Sequence, residues 1–113
     1  MTTHWKLFVD DERVGPQSRD WTFAANYETA IKLIEKNGMP EEMSLDHDIW
    51  TGLIQGTGFT SWLVSYVKKG NALPDSFKYS IHSSNEEGAA AMIDVMTFLS
   101  NKAPTHIREW WND

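Results

Sequence analysis

The sequence contains no cysteine. That removes a disulfide framework, a thiolate nucleophile and a zinc finger from consideration. No apolar run approaches the ~20 residues needed to cross a bilayer. The opening, Met1-Thr2-Thr3-His4-Trp5-Lys6, lacks the pattern of a secretory signal. Positive charge is scarce: ten Lys and Arg stand against sixteen Asp and Glu, a formal net charge of −6. Duplex DNA, bound through counterion release, is therefore not an expected partner, and neither is a membrane. A small phosphate ligand stays compatible if a metal or a local set of donors offsets the field. Repeats, linkers and low-complexity stretches are also missing, so the 113 residues are read as one domain, 1–113, in the cytoplasm. Tryptophan, by contrast, is abundant: six residues that supply core mass or stacking faces.

Lys6-Leu7-Phe8-Val9 is a short run of strand formers that gives way at once to Asp10-Asp11-Glu12-Arg13. A buried strand entering a polar loop explains the switch. Val14 to Asp20 carries Gly15, Pro16 and Ser18 and reads as loop, followed by a second strand, Trp21-Thr22-Phe23-Ala24. Asn26 is placed to cap a helix whose apolar face is Tyr27, Ala30, Ile31 and Ile34, with Asn37-Gly38 as the stop. Met43-Ser44-Leu45 is a third strand, and it too ends in acid, at Asp46-His47-Asp48. A glycine-rich stretch, Thr51 to Gly58, reads as a connection before a helical stripe of Phe59, Trp62, Leu63, Tyr66 and Val67. It is no P-loop, because the Gly-Lys-Ser/Thr end is absent. Phe77 to Ile81 alternates as a fourth strand ending at His82-Ser83-Ser84-Asn85. Ser84 and Glu87 have capping-box spacing, and a helix is expected from Gly88 to Leu99. The tail, Ile107 to Trp111, reads either as a last helical turn or as an arm on the core, and Trp110-Trp111 could support a homo-oligomer.

Strands alternating with helices imply a mostly parallel sheet covered on both faces, and in such sheets ligands gather outside the carboxyl ends of the strands. Three of the four strands end there in chemically loaded residues. Several carboxylates gathered together raise one another's pKa unless a cation compensates, and oxygen ligands of this kind suit Mg²⁺, Mn²⁺ or Ca²⁺. His47 and His82 each follow a strand and add groups suited to general acid–base work. Arg13 could fork a phosphate or merely pair with a neighbouring acid. Asp is equally common at strand ends as a plain turn residue. His4 and His106 have no comparable company and read as structural. The His47-Asp48 dipeptide follows a strand, unlike that of the HD phosphohydrolases, where it lies on a helix.

Leu7-Phe8-Val9-Asp10-Asp11-Glu12-Arg13, Ser44-Leu45-Asp46-His47-Asp48 and Ile81-His82-Ser83-Ser84-Asn85 together resemble the cyclic-phosphate processing receiver-like domains, relatives of two-component receivers. The resemblance implies a three-layer, receiver-like (flavodoxin-like) α/β fold with a mostly parallel central sheet, its first helix reduced to a loop. It also implies processing of a cyclic phosphate, in a nucleotide or at an RNA end. Asp10, Asp11, Asp46 and Ser83 are similar to the receiver's two metal-holding acids, its phosphate acceptor and its Ser/Thr. Lys102-Ala103-Pro104 faintly resembles the lysine that follows a receiver's fifth strand, although no apolar run precedes it. The expectation is a phosphodiesterase assisted by Mg²⁺ or Mn²⁺. Asp10, Asp11 and Asp46 would hold the metal, His47, His82 and Asp48 would be catalytic, and Arg13, Ser83 and Asn85 would bind substrate. A module that sequesters a signalling nucleotide and a degenerate phospho-accepting receiver are the alternatives.

Overall fold

A computed structural model describes residues 5–13, 15–16, 20–49, 52–107 and 110–111. Five strands form one sheet: β1 (Lys6–Val9), β2 (Trp21–Ala24), β3 (Glu42–Leu45), β4 (Lys78–Ile81) and the two-residue β5 (His106–Ile107). Their order is β2-β1-β3-β4-β5 and every neighbouring pair is parallel. Among the described residues the helices are α1 (Tyr27–Asn37), α2 (Gly56–Lys68) and α3 (Glu86–Ser100). This is the flavodoxin-like strand order, in which the connection reverses direction at β1 and β3. The described residues between Asp10 and Asp20 hold no helix, as the resemblance implied. No helix among the described residues is long and apolar enough to cross a membrane.

Strand periodicity sorts the sheet into two faces. Leu7, Val9, Ala24, Met43, Leu45, Tyr79 and Ile81 join the main core, which the helices close with Tyr27, Ala30, Ile34, Phe59, Leu63, Met92 and Met96. The helices lie side by side, α1 against α2 and α2 against α3. The stacked series Tyr27, Phe59, Trp62 and Tyr66 packs into or against that core, so the aromatic stripe of α2 is packing. The other face carries Phe8, Trp21, Ser44 and Ser80. The layer over it is aromatic: Trp111 meets Phe8 edge-on at 5.0 Å, and Trp110 packs on Trp21 at 5.4 Å and stacks on His106 at 5.3 Å. The tail is thus an arm on the sheet with a short edge strand in it, and both tryptophans pack on their own chain.

Several helix ends differ from the sequence reading. Asn26 caps α1 as expected, its side chain accepting from the Thr29 N–H at 2.8 Å. At α3 the cap is Asn85, which accepts from the Gly88 N–H at 2.9 Å, and the helix begins at Glu86; Ser84 is exposed one residue outside it. α2 begins at Gly56, within the glycine-rich stretch. Gln55 clamps that connection by bonding both the N–H and the carbonyl of Ile49, at 2.7 and 3.1 Å. Its first residue, Thr51, lies outside the described residues, as does His4.

Candidate functional site

The parallel register builds the site. Phe8 pairs with Ser44 and Ser44 with Ser80, so the residues two positions on, Asp10, Asp46 and His82, line up just past the strand ends on the same face. All three are buried, and their ligand-type atoms lie within 4.8 Å of one another. Asp11, expected beside Asp10, is not part of that group.

The turn after β1 winds around Asp10. Its Oδ1 accepts the backbone N–H groups of Glu12 and Arg13, at 2.8 and 2.9 Å, and its Oδ2 accepts from His82 Nε2 at 3.0 Å. Burial pushes this carboxyl up, but the His82 hydrogen bond and the two backbone donors outweigh it and hold Asp10 well below the usual carboxylate range. Asp46 goes the other way. Burial, reinforced by the charge of Asp10, raises its pKa, and the opposing influence of His82, Arg13 and the His47 N–H does not cancel the rise. Tyr27, fully buried at the start of α1, donates its hydroxyl to the Asp46 carbonyl and fixes the end of β3 from the helix side.

His82 is held on every side. Its ring lies parallel to Phe8 at 4.7 Å and edge-on to Trp111 at 5.2 Å. Ser44 Oγ sits 2.8 Å from its Nδ1 and itself accepts from Trp110 Nε1 at 2.9 Å. Indole is a donor only and a carboxylate an acceptor only. The contacts therefore link Trp110, Ser44, His82 and Asp10 in one chain, with Trp110 donating at one end and Asp10 accepting at the other.

His47 is one residue beyond Asp46 and faces the opposite side of the sheet. Its ring rests on Gly88 in the first turn of α3, where an added Cβ would stand 2.4 Å from its Cγ. Its Nδ1 is 2.6 Å from Asp48 Oδ1, and Asn85 Nδ2 reaches the same oxygen at 3.3 Å. Among the described residues only the Nδ1 edge is engaged, which gives an imidazole oriented by a carboxylate. The expected site residues therefore fall into two groups back to back around the end of β3: Asp10, Asp46, His82 and Arg13 on one side, His47, Asp48 and Asn85 on the other. Asn85 is shared between capping α3 and holding Asp48. Ser83 is buried and its Oγ accepts the Asn85 N–H at 3.0 Å, which shapes the turn. Lys102 precedes β5 and donates to the carbonyls of Asp75 and Phe77, both at 2.7 Å, at the amino end of β4 and away from Asp46. The faint likeness to the receiver's lysine fails for that reason.

Two carboxylates and an imidazole are a reasonable donor set for a divalent ion. Arg13, however, already reaches between them. Its Nη1 lies 3.2 Å from Asp10 Oδ2, 3.4 Å from Asp46 Oδ2 and 3.0 Å from the His82 carbonyl. With the guanidinium there and His82 Nε2 committed to Asp10, these residues as arranged do not fit Mg²⁺ or Mn²⁺. Ser44, Trp110 and Tyr27 were not among the expected site residues. Of these only Ser44 left a local signal, a polar residue in a buried strand two positions before an acid.

A parallel sheet of this order, with acids at the carboxyl ends of β1 and β3, defines a receiver-like α/β domain. The chain belongs to the cyclic-phosphate processing receiver domain family, whose model matches residues 5–98. No curated protein and no solved structure matches it.

Proposed function

We propose that the domain is a phosphodiesterase that opens a cyclic phosphate, of a cyclic nucleotide or a 2′,3′-cyclic RNA end, at the carboxyl edge of its sheet. The observation that carries this reading is that a guanidinium held by two buried carboxylates and a histidine oriented by its own aspartate flank the end of β3, one on each side, so that a phosphate lying across the strand end would meet both. Arg13 steadies the phosphate oxygens through charge-assisted hydrogen bonds. His47, with Nδ1 turned to Asp48, offers Nε2 as the proton acceptor. A water oxygen attacks phosphorus and its proton passes to Nε2. One ring P–O bond breaks, and the leaving alkoxide takes a proton back, giving a phosphomonoester. His82, engaged at both nitrogens, acts as a positioning residue for Asp10.

The test is incubation with a panel of 2′,3′-cyclic nucleotides and cyclic oligonucleotides, with and without added Mg²⁺ or Mn²⁺, followed by phosphorus NMR. A monoester product is expected, and its formation should fall by roughly 10²–10⁴-fold in His47→Asn, the usual contribution of a general base. Absence of product across the panel would overturn the reading, and recovery of an intact bound nucleotide would favour sequestration instead. Phosphorylation of Asp46 is not favoured, because Lys102 lies at the wrong end of the sheet.

A further inference from the structure

We propose that Arg13 takes the place of a divalent ion in this site, so that the domain holds its phosphate without metal and the guanidinium competes with metal for the same two carboxylates. The inference rests on the cyclic-phosphate reading only for its ligand class; the competition itself is a property of the chain.

Three observations carry it. Arg13 Nη1 makes its contacts to Asp10 Oδ2 and Asp46 Oδ2, the oxygens between the ends of β1 and β3 that an ion would need. The position is built: Asp10 Oδ1 binds the backbone N–H of Arg13 itself, so the same carboxylate fixes both the turn and the side chain. Coverage is graded. The Arg13 side chain is 27% exposed, against 1% for Asp10 and 9% for Asp46, so the guanidinium caps the carboxylates towards solvent. A guanidinium has five N–H donors in a rigid fork, and only Nη1 is engaged among the described residues. Nε and Nη2 remain to meet a phosphate bidentately, with the acids behind setting the plane of the fork. An incoming dication would have to displace a cation already paired, or sit beside it against direct repulsion.

The experiment titrates Mn²⁺ into the wild-type chain and into Arg13→Met, reading free Mn²⁺ by electron paramagnetic resonance and the site by the fluorescence of the neighbouring tryptophans. Inorganic phosphate is titrated in parallel in the presence of EDTA. The wild type should bind Mn²⁺ at least tenfold more weakly than Arg13→Met, and Arg13→Met/Asp46→Asn should lose the gained site. Phosphate should bind the wild type undiminished by EDTA and bind Arg13→Met at least tenfold more weakly. Equal Mn²⁺ affinity in the two chains, or phosphate binding that EDTA abolishes, would overturn the proposal. Should Arg13→Met fail to fold by circular dichroism, submillimolar Mn²⁺ binding by the wild type would overturn it alone, and phosphate binding that persists in EDTA would support it. None of these readouts needs turnover, so a chain that binds as described yet cleaves nothing refutes the phosphodiesterase and leaves Arg13 in its role.

Discussion

Asp10 and Asp46 are the same residue type in equivalent positions on adjacent strands, and their surroundings push them apart. Asp10 is buried but receives donors from His82 and from the turn it organises, whereas Asp46 is buried beside another negative charge. Asp10→Asn would turn an amide N–H towards His82 Nε2–H or towards the turn donors, with no acceptor to replace the lost oxygen. Breaking a buried charged pair costs about 3 kcal/mol, and a loss of that order is expected in urea denaturation at pH 7. Asp46→Asn removes a charge that burial disfavours and can still accept the His47 N–H, so its stability should stay within about 1 kcal/mol of the wild type. The reverse ranking would contradict this account. The two groups also act oppositely with pH. Asp10, held below the ordinary value of 3.8, contributes stability that is full above that value and is lost progressively as pH falls below it through the depressed folded value. Asp46, raised above 3.8, is stabilised in its protonated form, so acidification towards that value adds stability. A melting temperature that rises slightly on mild acidification and then falls is expected. Asp46→Asn should lack the rise, and Asp10→Asn should show a smaller fall.

At the scale of the elements, the strand ends were legible because β1, β3 and β4 are short buried runs that stop abruptly in polar residues. The two faces were also latent in the sequence: Asp46 and His47 are consecutive in an extended chain and must diverge. What needed the structure was the register that aligns β1, β3 and β4, without which His47 and His82 read as neighbours. The cap of α3 was missed by one residue because Ser84 and Asn85 are both good caps; in the structure Asn85 accepts the Gly88 N–H, and the ring of His47 rests on that same glycine. That contact has a measurable consequence. In an ordinary helix interior Gly→Ala is favourable by about 1 kcal/mol. Here the added methyl would overlap the imidazole, so Gly88→Ala should instead destabilise by about 1–3 kcal/mol, the cost of overpacking. It should also shift the His47 ring resonances in NMR, while Ala90→Gly on the exposed side of α3 should lose only its propensity and leave those resonances alone. Unchanged His47 resonances in Gly88→Ala would mean that the ring does not rest there.

For the whole molecule, the largest departure from what could be read is the second face of the sheet. Helical periodicity announces a helical layer, but nothing local announces that Trp110 and Trp111 fold back from the far end of the chain to cover Phe8, Trp21 and His82. Such a contact depends on the finished sheet. It also ties the tail to the site, since Trp110 begins the chain of hydrogen bonds that ends at Asp10. If that chain is one unit, its members will not contribute independently. Ser44→Ala leaves the Trp110 N–H and His82 Nδ1 without their shared oxygen, and Trp110→Phe keeps most of the aromatic cover while removing the donor. Coupled neighbours commonly show interaction energies of 0.5–3 kcal/mol, and a double-mutant cycle on this pair should fall at about 1 kcal/mol. Each single change should destabilise the fold, and Trp110→Phe should cost much less once Ser44 is alanine, because its donor has already lost its partner. The same cycle between Trp110→Phe and Thr60→Ser, at a buried position within α2 outside the chain, should be additive. Additivity in both cycles would reduce Trp110 to a cover for the sheet, whereas coupling in the first alone makes the tail part of the machinery that positions Asp10.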